Sequence, residues 1–304
     1  MDGARLSLTA DGRVASIEPA SGGSGFLMPS FVDAHCHFTG MGLRSLHPDL
    51  SGVGSRQELL DVLSRAAAGR EGIVRAHSFD ESRWRDRELP DRRDLDRACG
   101  SAPVLVRRVC GHLGIASSAL LEMLPAELEF VDRETGVLTE SAVLGFEELF
   151  PPTMEEYEKA LRFASGEASS RGVTACFSME GGPGLRALLK LGPDLEGVVR
   201  LNLGVPWKHF GLALECAERL AGEAGWDPEW IRVSGIKFFL DGSIGARTAA
   251  IAGCYTGTAS SGELLWDGDD LERALLEVEG SGLVPVLHAI GERALEQLLE
   301  RSAG

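Results

Sequence analysis

Apolar residues recur along this chain with two periods, and the alternation between them predicts its elements. Leu59, Leu60, Leu63 and Ala67 follow at helical spacing behind Ser55-Arg-Gln-Glu58, a capping-box pattern. Tyr157, Ala160, Leu161 and Ala164 do the same behind Thr153-Met-Glu-Glu156, and Gly172 supplies a helix stop. Val173 to Phe177 then reads as a buried strand, Arg200 to Val205 as a strand, Leu212 to Ala224 as a helix and Ile236 to Leu240 as a strand. Asp267 or Asp269 is placed to cap a helix carrying Leu271, Ala274, Leu275 and Val278, which stops near Gly282. Leu283 to Leu287 is a strand ending on His288, and Ala294, Leu295, Leu298 and Leu299 form a last helical stripe.

Strands alternating with helices predict a parallel sheet in an α/β fold. The notable polar residues lie at or just after the strand ends, the pattern of a (β/α) barrel with its site on the C-terminal face. Two regions depart from the rhythm. Residues 1–25 hold Asp11-Gly12 between short apolar stretches, which predicts a small β segment built as a hairpin. Residues from about 40 to 150 interrupt the alternation and read as an insertion after the first barrel strand, a lid or subdomain. The barrel portion is thus 26–304.

Composition narrows the function. With 44% hydrophobic and 25% charged residues the chain is an ordinary globular sequence with enough apolar residues for a sizeable core. Its formal net charge of −16 argues against nucleic acid or an anionic membrane as partner and says little about the substrate, which is expected to be a small molecule. The N-terminus lacks the basic and apolar segments of a signal peptide, and no apolar run reaches membrane-spanning length. The six cysteines are dispersed with no Cys-x-x-Cys, as expected of reduced thiols in a cytoplasmic protein. A homo-oligomer is compatible with all of this.

The candidate chemistry starts at Phe31-Val-Asp-Ala-His-Cys-His37. A strand places residues i and i+2 on one face, so His35 and His37 can grip one metal ion while Cys36 points away. Lys237 lies in the apolar strand Ile236-Lys-Phe-Phe-Leu240, where burial lowers an amine's pKa. A free amine there can take up carbon dioxide and become a metal-bridging carbamate; the alternative is a salt bridge to Asp241. His288 ends a further strand. Asp241 is a candidate to orient a metal-bound histidine, and Arg247 to hold a substrate carboxylate or developing oxyanion. His112 and Glu140, in the insertion, are candidates to face the substrate, and Glu140 competes with Lys237 for a bridging role. Asp80, Arg83 and Trp84 form a further charged and aromatic cluster, which a solvated loop explains equally well.

Together these segments resemble the amidohydrolase superfamily, and more narrowly its YtcJ-like metal-dependent hydrolases, which include N-substituted formamide deformylase. The matching stretches are Met28–His37, Trp84 with Leu95-Asp96, Arg108–His112, Gly136–Glu140, Lys237–Ala249 and His288–Ala294. The resemblance implies a (β/α)8 TIM barrel with a small β-sandwich, and one or two divalent metals, usually zinc. His35, His37, Lys237 and His288 are the implied ligands, and the implied reaction is hydrolysis of an amide or formamide-like C–N bond by metal-activated water.

The chain also departs from that pattern. Relatives carry a second histidine on strand 6 and an aspartate at the end of strand 8, and the sequence stops one helix after His288 with neither. About five barrel strands are present, so the barrel is expected to be incomplete and the chain truncated at its C-terminus. Ala116-Ser117-Ser118 stands where relatives often have an asparagine, and Glu292 where they often have aspartate. Two other readings follow: a non-catalytic amidohydrolase-like protein that binds metal weakly or needs a partner, and a one-metal deaminase.

Overall fold

The computed structural model describes residues 3–22, 25–69, 71–191, 199–222 and 227–301. The chain forms two compact units, Met1–Phe31 and Val32–Gly304. The division falls a few residues later than the sequence suggested, and the insertion belongs to the larger unit.

In the small unit, β1 (Ala4–Leu8) pairs antiparallel with β2 (Val14–Pro19). The Asp11-Gly12 turn joins them. Gly12 has φ +80°, and its N–H donates to the Thr9 carbonyl at 3.0 Å, a left-handed turn position that glycine fills without strain.

The larger unit contains two five-stranded sheets. The first has the order β12-β11-β10-β9-β3, from β3 (Phe31–Cys36), β9 (Val173–Met179), β10 (Arg200–Pro206), β11 (Ile231–Phe239) and β12 (Val284–His288). The β9/β10, β10/β11 and β11/β12 pairs are parallel. These are the five strands expected from the sequence, laid down in sequence order as a parallel α/β sheet. Their connections include α7 (Met154–Ser170), α8 (Gly182–Leu191), α9 (Phe210–Gly222) and α10 (Gly268–Gly280), and α11 (Glu292–Arg301) follows β12. The helix expected over Leu212 to Ala224 is α9; position 224 lies outside the described residues.

The helix starts follow the capping chemistry. Thr153 and Glu156 close a full capping box on α7, and Asp267 accepts the Asp269 N–H at the start of α10. Gly172, with φ +74°, ends the α7 segment. A core of Leu161, Leu185, Leu201, Leu203, Val205, Ile236, Phe238 and Leu271 joins the helices to this sheet. Cys36 packs on that core and its thiol meets Cys176, which explains why it turns from the face that His35 and His37 share.

The insertion proves to be a second folded layer. Its sheet has the order β4-β5-β6-β8-β7, built from β4 (Val74–Phe79), β5 (Val104–Arg108), β6 (Leu113–Ala116), β7 (Val131–Asp132) and β8 (Val137–Thr139). On β5, Val104 and Val106 join α2 (Arg56–Ala67) and α3 (Arg92–Cys99) in one core. Leu105, facing the other way, joins α4 (Ser118–Met123), α5 (Ser141–Leu144) and α6 (Phe146–Leu149) in another. Period-two alternation along β5 thus feeds two cores, and both faces of the sheet are covered. Trp84, only 2% exposed, belongs to the first of these cores rather than to a solvated loop. At α2, Ser55 Oγ accepts the Glu58 N–H, but the Glu58 carboxylate reaches back to Gly54 N–H instead of completing the box.

Candidate metal and substrate site

One cavity of about 430 Å³ is lined by the ends of strands from both sheets. His35, His37, Lys237 and His288 all open onto it, as do His112 and Phe239. Four side chains dispersed over the sequence from position 35 to 288 therefore share one rim of the first sheet.

His37 lies at the junction of β3 and α1 (Phe38–Arg44), and β9 holds that junction residue by residue. His37 Nδ1 lies 3.2 Å from the Met179 carbonyl. Phe38 N–H donates to Ser178 Oγ at 2.8 Å, and Thr39 N–H donates to Glu180 Oε1 at 3.1 Å. Ser178 Oγ–H in turn donates to the same Glu180 oxygen at 2.5 Å. Three consecutive residues thus hold three consecutive residues. A carbonyl only accepts, so the proton on His37 belongs on Nδ1 and the Nε2 lone pair is left free for a ligand. His288 Nε2 lies 2.9 Å from the Gly242 carbonyl, which by the same reasoning leaves its Nδ1 lone pair free.

The electrostatics favour neutral nitrogen donors. Desolvation lowers the His35 pKa, with the positive field of Lys237 acting in the same direction. Desolvation also lowers His37, against the hydrogen bond to Met179, which raises it. Burial alone lowers Lys237, which is 5% exposed. Its Nζ lies 5.2 Å from the Phe239 ring centroid, and among the described residues no hydrogen bond or neighbouring charge moves its pKa. The salt bridge to Asp241 that the sequence allowed is not formed. A buried amine with no acid beside it is costly as an ammonium, and metal ligands must be unprotonated. On donor chemistry, then, the residues suit a divalent cation that accepts nitrogen ligands. They form an open set. Among the described residues no three His, Cys, Asp or Glu side chains gather closely enough to hold an ion.

A second group faces these donors from the insertion. His112 Nδ1 sits 2.8 Å from Glu140 Oε2, and the His112 ring centroid is 5.8 Å from that of His288. Glu140 Oε1 accepts a short hydrogen bond from Thr248 Oγ1, in the loop that follows β11. Burial acts to raise the Glu140 pKa, but the hydrogen bonds from His112 and Thr248 outweigh it and hold the carboxyl below its ordinary value. The carboxylate is spent on His112 and Thr248, so Glu140 orients an imidazole and no longer competes with Lys237. Its backbone has φ +43°, a left-handed conformation unusual for a non-glycine residue.

Three expected site residues do not line the cavity: Glu140, which lies behind His112, and Asp241 and Arg247, which are placed elsewhere. Asp241 is 1% exposed, and its carboxylate accepts three backbone N–H groups, from Ala250 at 2.9 Å, Ile290 at 3.0 Å and Gly291 at 2.7 Å. It ties the loop after β11 to the segment after β12, and among the described residues its hydrogen bonds go to backbone N–H groups and to no histidine ring. Arg247 is exposed and does not line the cavity. Conversely, Ser178, Met179 and Glu180 were not singled out from the sequence. The available signal was a polar pair at the end of an apolar strand, where this architecture places its chemistry.

A model of the amidohydrolase family matches residues 23–304, nearly the whole chain. The chain belongs to the amidohydrolase family. Among its relatives, the putative amidohydrolase YtcJ of Bacillus subtilis is 25% identical over 293 residues, covering 90% of this chain and 54% of that protein. Protein LONG AFTER FAR-RED 3 of Arabidopsis thaliana is 25% identical over 306 residues, covering 90% of this chain and 51% of its own length. The amidohydrolase chain is also similar to two solved structures, both titled uncharacterized metal-dependent hydrolases. That from Pyrococcus horikoshii has a TM-score of 0.68 and 26% identity, with 90% of this chain and 56% of the other covered. That from Pyrococcus furiosus has a TM-score of 0.64 and 28% identity, with 90% and 57% covered. This chain spans about half the length of the relatives it matches. These likenesses support the YtcJ-like branch of the family.

Proposed function

We propose that the protein is a metal-dependent hydrolase acting on C–N bonds of small molecules, of the amide or formamide-like class. The observation that carries this reading is the convergence of His35, His37, Lys237 and His288 on one cavity, with Lys237 buried and no acid acting on it among the described residues. The metal-dependent hydrolases among its structural neighbours support the choice of a divalent ion, and the nitrogen-rich donor set supports zinc. His35, His37 and His288 would hold the metal, and Lys237 would contribute as free amine or as its carbamate. When bound, such an ion lowers the pKa of water and polarises a carbonyl.

The chain's own residues supply the remainder. Met179 fixes the His37 tautomer, and Gly242 fixes that of His288. The Glu140 carboxylate holds the proton of His112 on Nδ1, leaving His112 Nε2 to take or give a proton at the scissile nitrogen. Phe239, Leu105 and Val143 provide apolar wall. Among the described residues the cysteines are free and no helix is long and apolar enough to cross a membrane, which supports a reduced, cytoplasmic setting.

The test is zinc content and hydrolysis of a panel of N-substituted formamides and acetamides, in the wild type and in Lys237→Ala. Zinc retention with hydrolysis in the wild type, and loss of both in the variant, supports the reading. A wild type that holds zinc and hydrolyses none of the panel, or a variant that retains both, contradicts it.

A further inference from the structure

One corner of the cavity holds a polar atom that the described residues leave unused. Thr39 and Glu180 both line the cavity, and each is only 3% exposed. The Thr39 hydroxyl is buried with no hydrogen-bond partner among the described residues. Glu180 spends one oxygen, Oε1, on both Ser178 and Thr39 N–H, and Oε2 lies at the corner beside Gly184 that the Thr39 hydroxyl also borders. Leaving the Thr39 hydroxyl unpaired inside a protein is costly, so the corner calls for a partner that the described residues do not provide.

Space for that partner exists because residue 184 is glycine. Gly184 lies in the first turn of α8 and also lines the cavity. A Cβ there would stand 2.9 Å from Glu180 Oε2 and 3.6 Å from Thr39 Oγ1. A helix gains from alanine over glycine, so the glycine needs another reason, and keeping this corner open provides one.

We propose that Glu180 Oε2 and Thr39 Oγ1 form a substrate subsite that binds a hydrogen-bond-donating substituent, an O–H or N–H group carried away from the scissile bond. This deepens the hydrolase reading and rests on it in taking the cavity as the substrate site. Glu180 Oε2 accepts from the substituent, and the Thr39 hydroxyl makes the second bond. The subsite selects substrates with a polar tail over their plain alkyl counterparts, because an alkyl tail would leave the Thr39 hydroxyl buried and unpaired.

The test uses N-butylformamide, N-(4-hydroxybutyl)formamide and N-(4-aminobutyl)formamide as probes, with Kd measured by ligand-observed NMR on the whole chain. The wild type should bind the better of the two polar probes about tenfold more tightly than the alkyl probe. That ratio should fall to near one in Thr39→Val, which removes an atom the fold does not use, and in Gly184→Ala, which fills the corner. Thr39→Ser should restore it, which separates loss of the hydroxyl from loss of folding. A wild-type ratio near one, or a ratio that survives either substitution, overturns the subsite. Turnover measured on the same samples separates the two readings. Absent hydrolysis with an intact ratio removes the hydrolase and keeps the subsite, whereas hydrolysis without the ratio does the reverse.

Discussion

His37 Nδ1 lies 3.2 Å from the carbonyl oxygen of Met179, 142 residues further along the chain. This contact joins the first and second strands of the parallel sheet at the point where the candidate metal ligands begin. It also assigns the tautomer of His37, because the carbonyl can only accept.

Ser178 should be the most sensitive support of that contact. Its hydroxyl accepts Phe38 N–H and donates to Glu180, wholly inside the protein. Ser178→Ala leaves a buried N–H unpaired and should cost about 1–3 kcal/mol in urea unfolding. Zinc affinity should weaken by about tenfold or more, because the His37 imidazole loses the frame that aims it. Unchanged stability and unchanged affinity would show that the clamp on α1 is not what positions the ligand.

Lys237 should affect stability and metal binding in opposite senses. Its amine is buried without an acid partner, so Lys237→Met should leave the metal-free protein as stable or raise its unfolding free energy by about 1 kcal/mol. The same variant should bind less zinc. A marked loss of metal-free stability would mean that the amine has a structural partner after all.

Asp241 should behave as a structural residue. Asp241→Asn keeps one oxygen for Ala250 and Gly291 N–H but sets an N–H₂ group against Ile290 N–H, and should destabilise by about 1–3 kcal/mol. Arg247→Ala, on the surface, should change stability by less than about 0.5 kcal/mol. Thermal unfolding of the two variants side by side checks both statements.

The two buried glutamates should give opposite pH dependences. Glu140 is held below its ordinary value of 4.5, so the stability it adds is complete above that value and is lost as pH falls through the lower folded-state value. Glu140→Gln should therefore destabilise at pH 7, and the difference from wild type should shrink in acid. Burial raises Glu180 above 4.5, although Ser178 and Thr39 oppose the shift, so its penalty grows as pH rises from 4.5 through the higher folded-state value. Glu180→Gln should then be closer to wild type, or more stable, at pH 7 than in acid. Urea unfolding at both pH values reads the two signs, and equal slopes for the two variants would refute the assignment.

Much of this was legible in the sequence, for definite reasons. A charge inside Ile236-Lys-Phe-Phe-Leu240 and two imidazoles two residues apart are local patterns that a strand converts directly into a shared direction. The five parallel strands followed from the same periodicity. The second sheet was not legible, because its strands are short and its pairing mixes parallel and antiparallel neighbours over residues 74–139. The clamp of Ser178, Met179 and Glu180 on the turn after His37 depends on partners about 140 residues apart, and serine and glutamate carry no spacing signal. Asp241 misled because a carboxylate beside glycines suggests a ligand's helper, whereas the folded backbone presents it with three N–H groups.

The central claim is that His35, His37, Lys237 and His288 share one divalent ion. Anomalous X-ray diffraction from zinc-soaked crystals tests it most directly. The account predicts an anomalous peak inside the cavity within bonding distance of those side chains. A peak elsewhere on the molecule, or none at saturating zinc, would contradict it.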